Sequence, residues 1–74
     1  METKLELHED LEKRFTYHPP KADQPQRYEQ IRKEAKNLAI YIADFCPSSR
    51  EKSLALTKLE EAVMWANASI ARNE

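Results

Sequence analysis

Between Asp23 and Phe45 the apolar residues Tyr28, Ile31, Ala35, Leu38, Ile42 and Phe45 recur in steps of three and four. That spacing lays one apolar seam along an α-helix. Asp23 stands where an N-cap is needed, Pro25 falls in the first turn, where a missing N–H costs nothing, and Pro47 stops the run two residues after Phe45. The predicted helix covers about residues 24 to 45.

A second seam follows at Leu56, Leu59, Val63, Ala66 and Ile70. Ser48 and Glu51 have the spacing of a capping box, which predicts a second helix over about residues 49 to 72. Ala55, Ala62, Ala66, Ala68 and Ala71 keep this helix slim, so a neighbour approaches closely. Two helices joined by so short a loop lie antiparallel. The fold class is all-α: a helical hairpin over residues 23–74, preceded by an N-terminal arm over residues 1–22. In the arm, Leu5, Leu7 and Leu11 fit either a short amphipathic turn or an edge strand, and His18-Pro19-Pro20 forces an extended path.

Ile40, Tyr41, Met64 and Trp65 fall off both seams and form a second apolar surface that a lone hairpin leaves in water. At 74 residues the chain is near the lower limit for burying a sufficient core. The lone Cys46 closes no intrachain disulfide and fits a reducing compartment, while His8, His18 and Cys46 lack zinc-ligand spacing. Self-association into a homo-oligomeric helical bundle is the remaining staple.

Charge and composition narrow the chemistry. A formal net charge of −1 lacks the broad basic footprint of a duplex nucleic-acid binder. No apolar run approaches the ~20 residues a membrane span needs, and METKLELHEDLEK is too charged for a secretory signal. A cytoplasmic protein is expected. Glycine is absent, which removes the glycine-rich phosphate loops and the nucleophile elbow. Cys46 reads as a small hydrophobe at a helix end, and Glu60 and Glu61 as solvated charges, so neither an enzyme nor a bound metal or cofactor is expected.

The basic residues have two readings. Arg27, Arg32, Lys33 and Lys36 lie along the first helix, and Arg50 and Lys52 occupy the first turn of the second, where unpaired N–H groups already favour an anion. An arginine there grips phosphate oxygens with parallel hydrogen bonds. Alternatively, Glu34, Asp44 and Glu51 pair with these cations and the set is a solvated face. Of the aromatics, Tyr17 in the non-helical arm is free to offer its ring to a base, whereas Phe15 and Tyr28 suit packing and His18 a local hydrogen bond.

The run HPPK…DQPQRYEQIRKEAKNLA, followed by CPSSREKSLALTKLEEAVMWANASIARNE, resembles the helical-hairpin domain of the bacteriophage anti-CBASS and anti-Thoeris sponge proteins. The resemblance covers residues 17–74 and is sharpest at His18-Pro19-Pro20, Arg27-Tyr28 and Met64-Trp65-Ala66-Asn67-Ala68. It implies a homo-oligomer, typically a hexamer, that binds cyclic di- or trinucleotides or cyclic ADP-ribose derivatives at protomer interfaces without cleaving them, inside the infected bacterial host. It also implies site residues. Tyr17 matches the aromatic that stacks on a base, Arg32 the phosphate-contacting basic residue with Lys33 as neighbouring substitute, and Arg50 the arginine serving cyclic trinucleotides. Lys21 and Arg27 are further candidates for phosphate contact. The competing reading is a small interaction protein whose Met64–Trp65 surface docks on a host or virion protein.

Overall fold

Thr3 opens the first helix. A computed structural model describes residues 3–74, in which α1 spans Lys4–Phe15, α2 Gln24–Phe45 and α3 Arg50–Asn73, with no strand among the described residues. The Thr3 hydroxyl accepts the Glu6 N–H at 3.1 Å and the Glu6 carboxylate accepts the Thr3 N–H at 2.9 Å, a reciprocal capping box. The segment expected as a turn or an edge strand is therefore a helix of 12 residues. An Asp10–Arg14 pair at 2.9 Å supports it one turn apart.

Helix α2 begins where the sequence places it, by a different device. Asp23 occupies the N-cap position, yet its side chain makes no capping bond; its Oδ2 lies 3.3 Å from Arg27 Nε, an ion-pair contact without hydrogen-bond geometry. The preceding turn is closed by Gln24, whose N–H donates to the Lys21 carbonyl at 2.8 Å and whose Oε1 accepts the Lys21 N–H at 3.0 Å. Ala22 takes the left-handed region there, at φ 47°. A residue with a Cβ pays roughly 1–2 kcal/mol for that.

At the other end, Ser49 rather than Ser48 caps α3: its Oγ accepts the Lys52 N–H at 3.1 Å and donates to the Pro47 carbonyl at 3.1 Å. Ser49 has the extended backbone a cap needs, φ −167° and ψ 165°, so the cap sits one residue later than the Ser48–Glu51 spacing suggests. Lys52, in the first turn where a cation opposes the helix dipole, turns back and donates from Nζ to the Ala43 carbonyl at 2.7 Å. It thereby serves the C-terminal end of α2, where carbonyls lack partners and a cation is favoured.

Contacts at both ends set α2 and α3 antiparallel: Lys52 meets Ala43 beside the loop, and Glu74 meets Arg27 and Gln24 at the open end. Leu56, Leu59, Val63, Ala66 and Ile70 are half-buried, as expected, against half-buried Tyr28, Ile31, Ala35 and Ile42. Ala39 joins this seam, while Leu38 and Phe45 lie outside it and are exposed. The first turn of α3 is polar, so Phe45 finds no apolar partner across the loop and stacks on Tyr41 one turn back, with ring centroids 5.8 Å apart.

Two helices and an outlying third make an extended body of 49 × 32 × 17 Å. Its radius of gyration is 16.3 Å, against ~11 Å for a compact chain of this length. Gln24, 3% exposed, is the one buried residue among those described. Ile40, Tyr41, Met64 and Trp65 face outward, as their positions off the seams predict, and so do Leu5, Leu7, Leu11 and Phe15 of α1. No helix among the described residues is long and apolar enough to cross a membrane.

Candidate ligand site

The site is built at the open end of the hairpin, where the arm folds back on α3. The Lys13 carbonyl, on the last turn of α1, accepts a hydrogen bond from His18 Nε2 at 2.8 Å, and the Thr16 hydroxyl donates to Glu12 Oε2 at 3.2 Å. Pro19 and Pro20 then carry the chain to Lys21 with few free torsions. Lys13 Nζ donates to Asn73 Oδ1 at 3.1 Å and Lys21 Nζ donates to the Glu74 carbonyl at 2.9 Å, so both ends of the arm are tied to the end of α3.

This path opens a depression of about 410 Å³ lined by Arg14, Tyr17, His18, Tyr28, Asn67 and Arg72. Tyr17 is 80% exposed and presents its ring, whereas Tyr28 is half-buried against the hairpin. Ala68 and Ala71 form a low floor that lets a flat group come close. Asn67 Oδ1 is buried without a hydrogen-bond partner among the described residues, which leaves an acceptor for a ligand N–H. Rings to stack on, two guanidiniums and a lone acceptor suit an anionic aromatic ligand.

Two further depressions adjoin it. One of about 460 Å³ lies between Phe15 and Trp65 and shares Arg14 and Arg72 with the first. The other, about 520 Å³, follows the α2–α3 groove over Ala39, Leu56 and Met64, with Arg32, Lys36 and Glu60 also lining it. Asn67 borders both the groove and the Tyr17 depression.

The residues singled out from sequence are dispersed. Tyr17 lies in the first depression and Arg32 in the groove; Lys33 is exposed on α2 and in no ion pair among the described residues. Arg50 is the first residue of α3, beside the loop, at the far end of a 22-residue helix and thus ~33 Å along the hairpin from the arm. Lys21 and Arg27 converge on Glu74. Arg27 Nη1 donates to Glu74 Oε2 at 2.8 Å, Nη2 donates to Oε1, and Gln24 Nε2 donates to Oε1 at 3.2 Å. Hydrogen bonding by Arg27, then by Gln24, holds the Glu74 carboxyl down at about 2, and the same bond to Glu74 raises Arg27 above the ordinary guanidinium range.

Arg14 is not a site residue on the sequence reading, Tyr28 reads as a packing residue, and the sequence leaves open whether Asn67, Arg72 and Asn73 line a second pocket. Asn67 and Arg72 stand more than forty residues from Tyr17 in the chain, and only the fold-back of the arm assembles them. The one available signal was Lys13 and Arg14 in the last turn of α1 and Arg72 in that of α3, which reads equally well as dipole compensation.

The open end of the hairpin thus carries aromatic and arginine-lined hollows, and no group of metal-ligating side chains occurs among the described residues. The chain matches the family model described as Acb2/Tad1, hairpin domain, over residues 7–71, and it belongs to that family, the anti-CBASS and anti-Thoeris sponges. At the level of the family the function is phage anti-defence through binding of cyclic-nucleotide signals. No curated protein and no solved structure matches the chain.

Proposed function

We propose that this protein captures a cyclic di- or trinucleotide, or a cyclic ADP-ribose derivative, and holds it intact, so that the signal never reaches its effector in the cytoplasm of the infected host. The observation that carries this reading is the depression shared by Tyr17, Tyr28, Arg14 and Arg72 in a chain of the sponge family. Tyr17 stacks on a base, and the guanidiniums meet phosphate oxygens with charge-assisted hydrogen bonds.

The working form is a homo-oligomer, taken as a hexamer. Arg50 lies ~33 Å along the hairpin from Tyr17, so one chain cannot bring both to one small ligand. A neighbouring protomer supplies Arg50, and Arg32 and Lys33 reach the ligand from its α2. The exposed Met64 and Trp65 give the protomers apolar surface to bury.

Titration calorimetry against a panel of cyclic di- and trinucleotides and cyclic ADP-ribose isomers tests the reading: at least one binds, and it is recovered chemically unchanged after heat denaturation of the complex. A cleaved product refutes sequestration, and a stable monomer by light scattering refutes the shared site. The second reading, a docking protein, is favoured by Trp65 at 63% and Met64 at 65% exposure. It takes precedence if no cyclic nucleotide gives heat.

A further inference from the structure

Three side chains at the start of α2 are arranged as an anion site, and an anion from the same chain fills it. Arg27 grips the Glu74 carboxylate with two parallel hydrogen bonds, Gln24 adds a third from Nε2 at 3.2 Å, and Lys21 Nζ binds the Glu74 carbonyl at 2.9 Å. A planar guanidinium fork against two carboxylate oxygens is also the geometry in which arginine takes two phosphate oxygens.

Two members of the cradle are also held by contacts other than Glu74. Gln24 is 3% exposed, and its Oε1 is spent on the Lys21 N–H, which leaves Nε2 aimed outward. Asp23 lies 3.3 Å from Arg27 Nε and adds a second carboxylate beside the guanidinium. A surface ion pair of two long side chains is ordinarily worth little. Here Arg27 and Gln24 together place three donors on one carboxylate.

We infer that Glu74 is an internal competitor: Lys21, Gln24 and Arg27 form a phosphate-binding cradle, and a ligand phosphate occupies it by displacing the Glu74 carboxylate. This rests on the sponge reading for its ligand and extends it by assigning regulation to Lys21 and Arg27. A tethered carboxylate acts at an effective concentration in the mM range or above. A free anion of equal intrinsic affinity therefore binds the cradle only above that concentration, while a cyclic nucleotide anchored by its base pays the cost of displacement once. The internal occupant then screens out free inorganic phosphates without barring the larger ligand.

The probe is inorganic pyrophosphate at constant ionic strength, read from the Arg27 Nε–Hε resonance, which is assigned from the Arg27→Lys variant. Glu74→Gln is expected to lower the half-saturating pyrophosphate concentration at least tenfold relative to the natural chain. Equal half-saturation in the natural chain and Glu74→Gln overturns the proposal and leaves Glu74 as a structural pair. Should Glu74→Gln lose helicity by circular dichroism, Glu74→Asp keeps the charge on a shorter arm, and a half-saturation no lower than that of the natural chain is the overturning result there. The two readings fail separately. If cyclic nucleotides do not bind at all, the pyrophosphate difference still stands; if the difference is absent, cyclic-nucleotide heats are untouched.

Discussion

The Nε2 of His18 lies 2.8 Å from the main-chain carbonyl of Lys13, on the last turn of α1. A side chain beyond the helix thus satisfies a carbonyl that has no partner within it, and Tyr17, the intervening ring, is turned outward as a result. The positioning of the most exposed tyrosine depends on this neighbour, which lines the same depression.

His18→Ala removes that bond, worth about 0.5–1.5 kcal/mol net. Hydrogen exchange is expected to speed at residues 16–21 and stay unchanged in α2 and α3. Ligand affinity falls several-fold through loosening of the arm, and His18→Asn, which keeps a donor, recovers part of it. Unchanged exchange in the arm would show that Pro19 and Pro20 alone hold it.

Tyr17→Ala deletes a stacking surface worth roughly 1–3 kcal/mol, which is about 5- to 150-fold in dissociation constant by calorimetry. The ring is exposed, so helicity and assembly are expected to remain. Tyr17→Phe, which keeps the flat face, binds nearly as the natural chain does. Loss of helicity in the alanine variant would identify Tyr17 as a packing residue.

The Glu74 carboxyl moves from 4.5 to about 2 on folding, chiefly through its hydrogen bond with Arg27. Between those values the unfolded chain holds the proton and the folded chain does not, so stability rises with pH across the window. The contribution is complete above about pH 4.5 and is lost as pH falls toward 2. Thermal unfolding midpoints of the natural chain are expected to drop through this interval more steeply than those of Glu74→Gln. The pair is exposed, and the difference shrinks in about 1 M salt.

Trp65→Ala is expected to shift sedimentation velocity toward smaller species and to lower helicity by circular dichroism as the chains separate. A well-buried aromatic at an interface contributes about 2 kcal/mol or more. Normal assembly in this variant, together with loss of ligand heat, would instead place Trp65 in the hollow it forms with Phe15, Arg14 and Arg72.

The two long helices were legible because their apolar residues keep one period over six turns, with prolines at the boundaries. Helix α1 was harder: three leucines in 12 residues do not choose between periods of 2 and 3.6, and the decisive sign is the Thr3–Glu6 box before them. Ser48 and Ser49 are equivalent by composition, and only the backbone path decides which one caps. The site was least legible. Arg72 lines one depression with Tyr17 because the arm reverses at Lys21–Gln24, and that turn places an alanine at φ 47° in a chain without glycine. The sequence suggests Lys21 and Arg27 as phosphate contacts; that Arg27 would meet the Glu74 carboxylate and Lys21 the Glu74 carbonyl was not legible.

Ala22 gives a direct handle on that turn. Ala22→Gly relieves a left-handed strain of roughly 1–2 kcal/mol and adds freedom to the unfolded chain, for a net gain of under about 1 kcal/mol. Slower exchange of the Gln24 amide is the expected sign, and faster exchange would show that the turn is not the arm's weak point.

With Gln24 as the one buried residue among those described, the chain has almost no interior of its own. If protomers bury that surface on one another, folding and association are a single equilibrium, and the folded fraction climbs with the amount of protein made. Early in expression such a chain would be dilute, loosely ordered and easily degraded; past a threshold, each new copy would protect those already present.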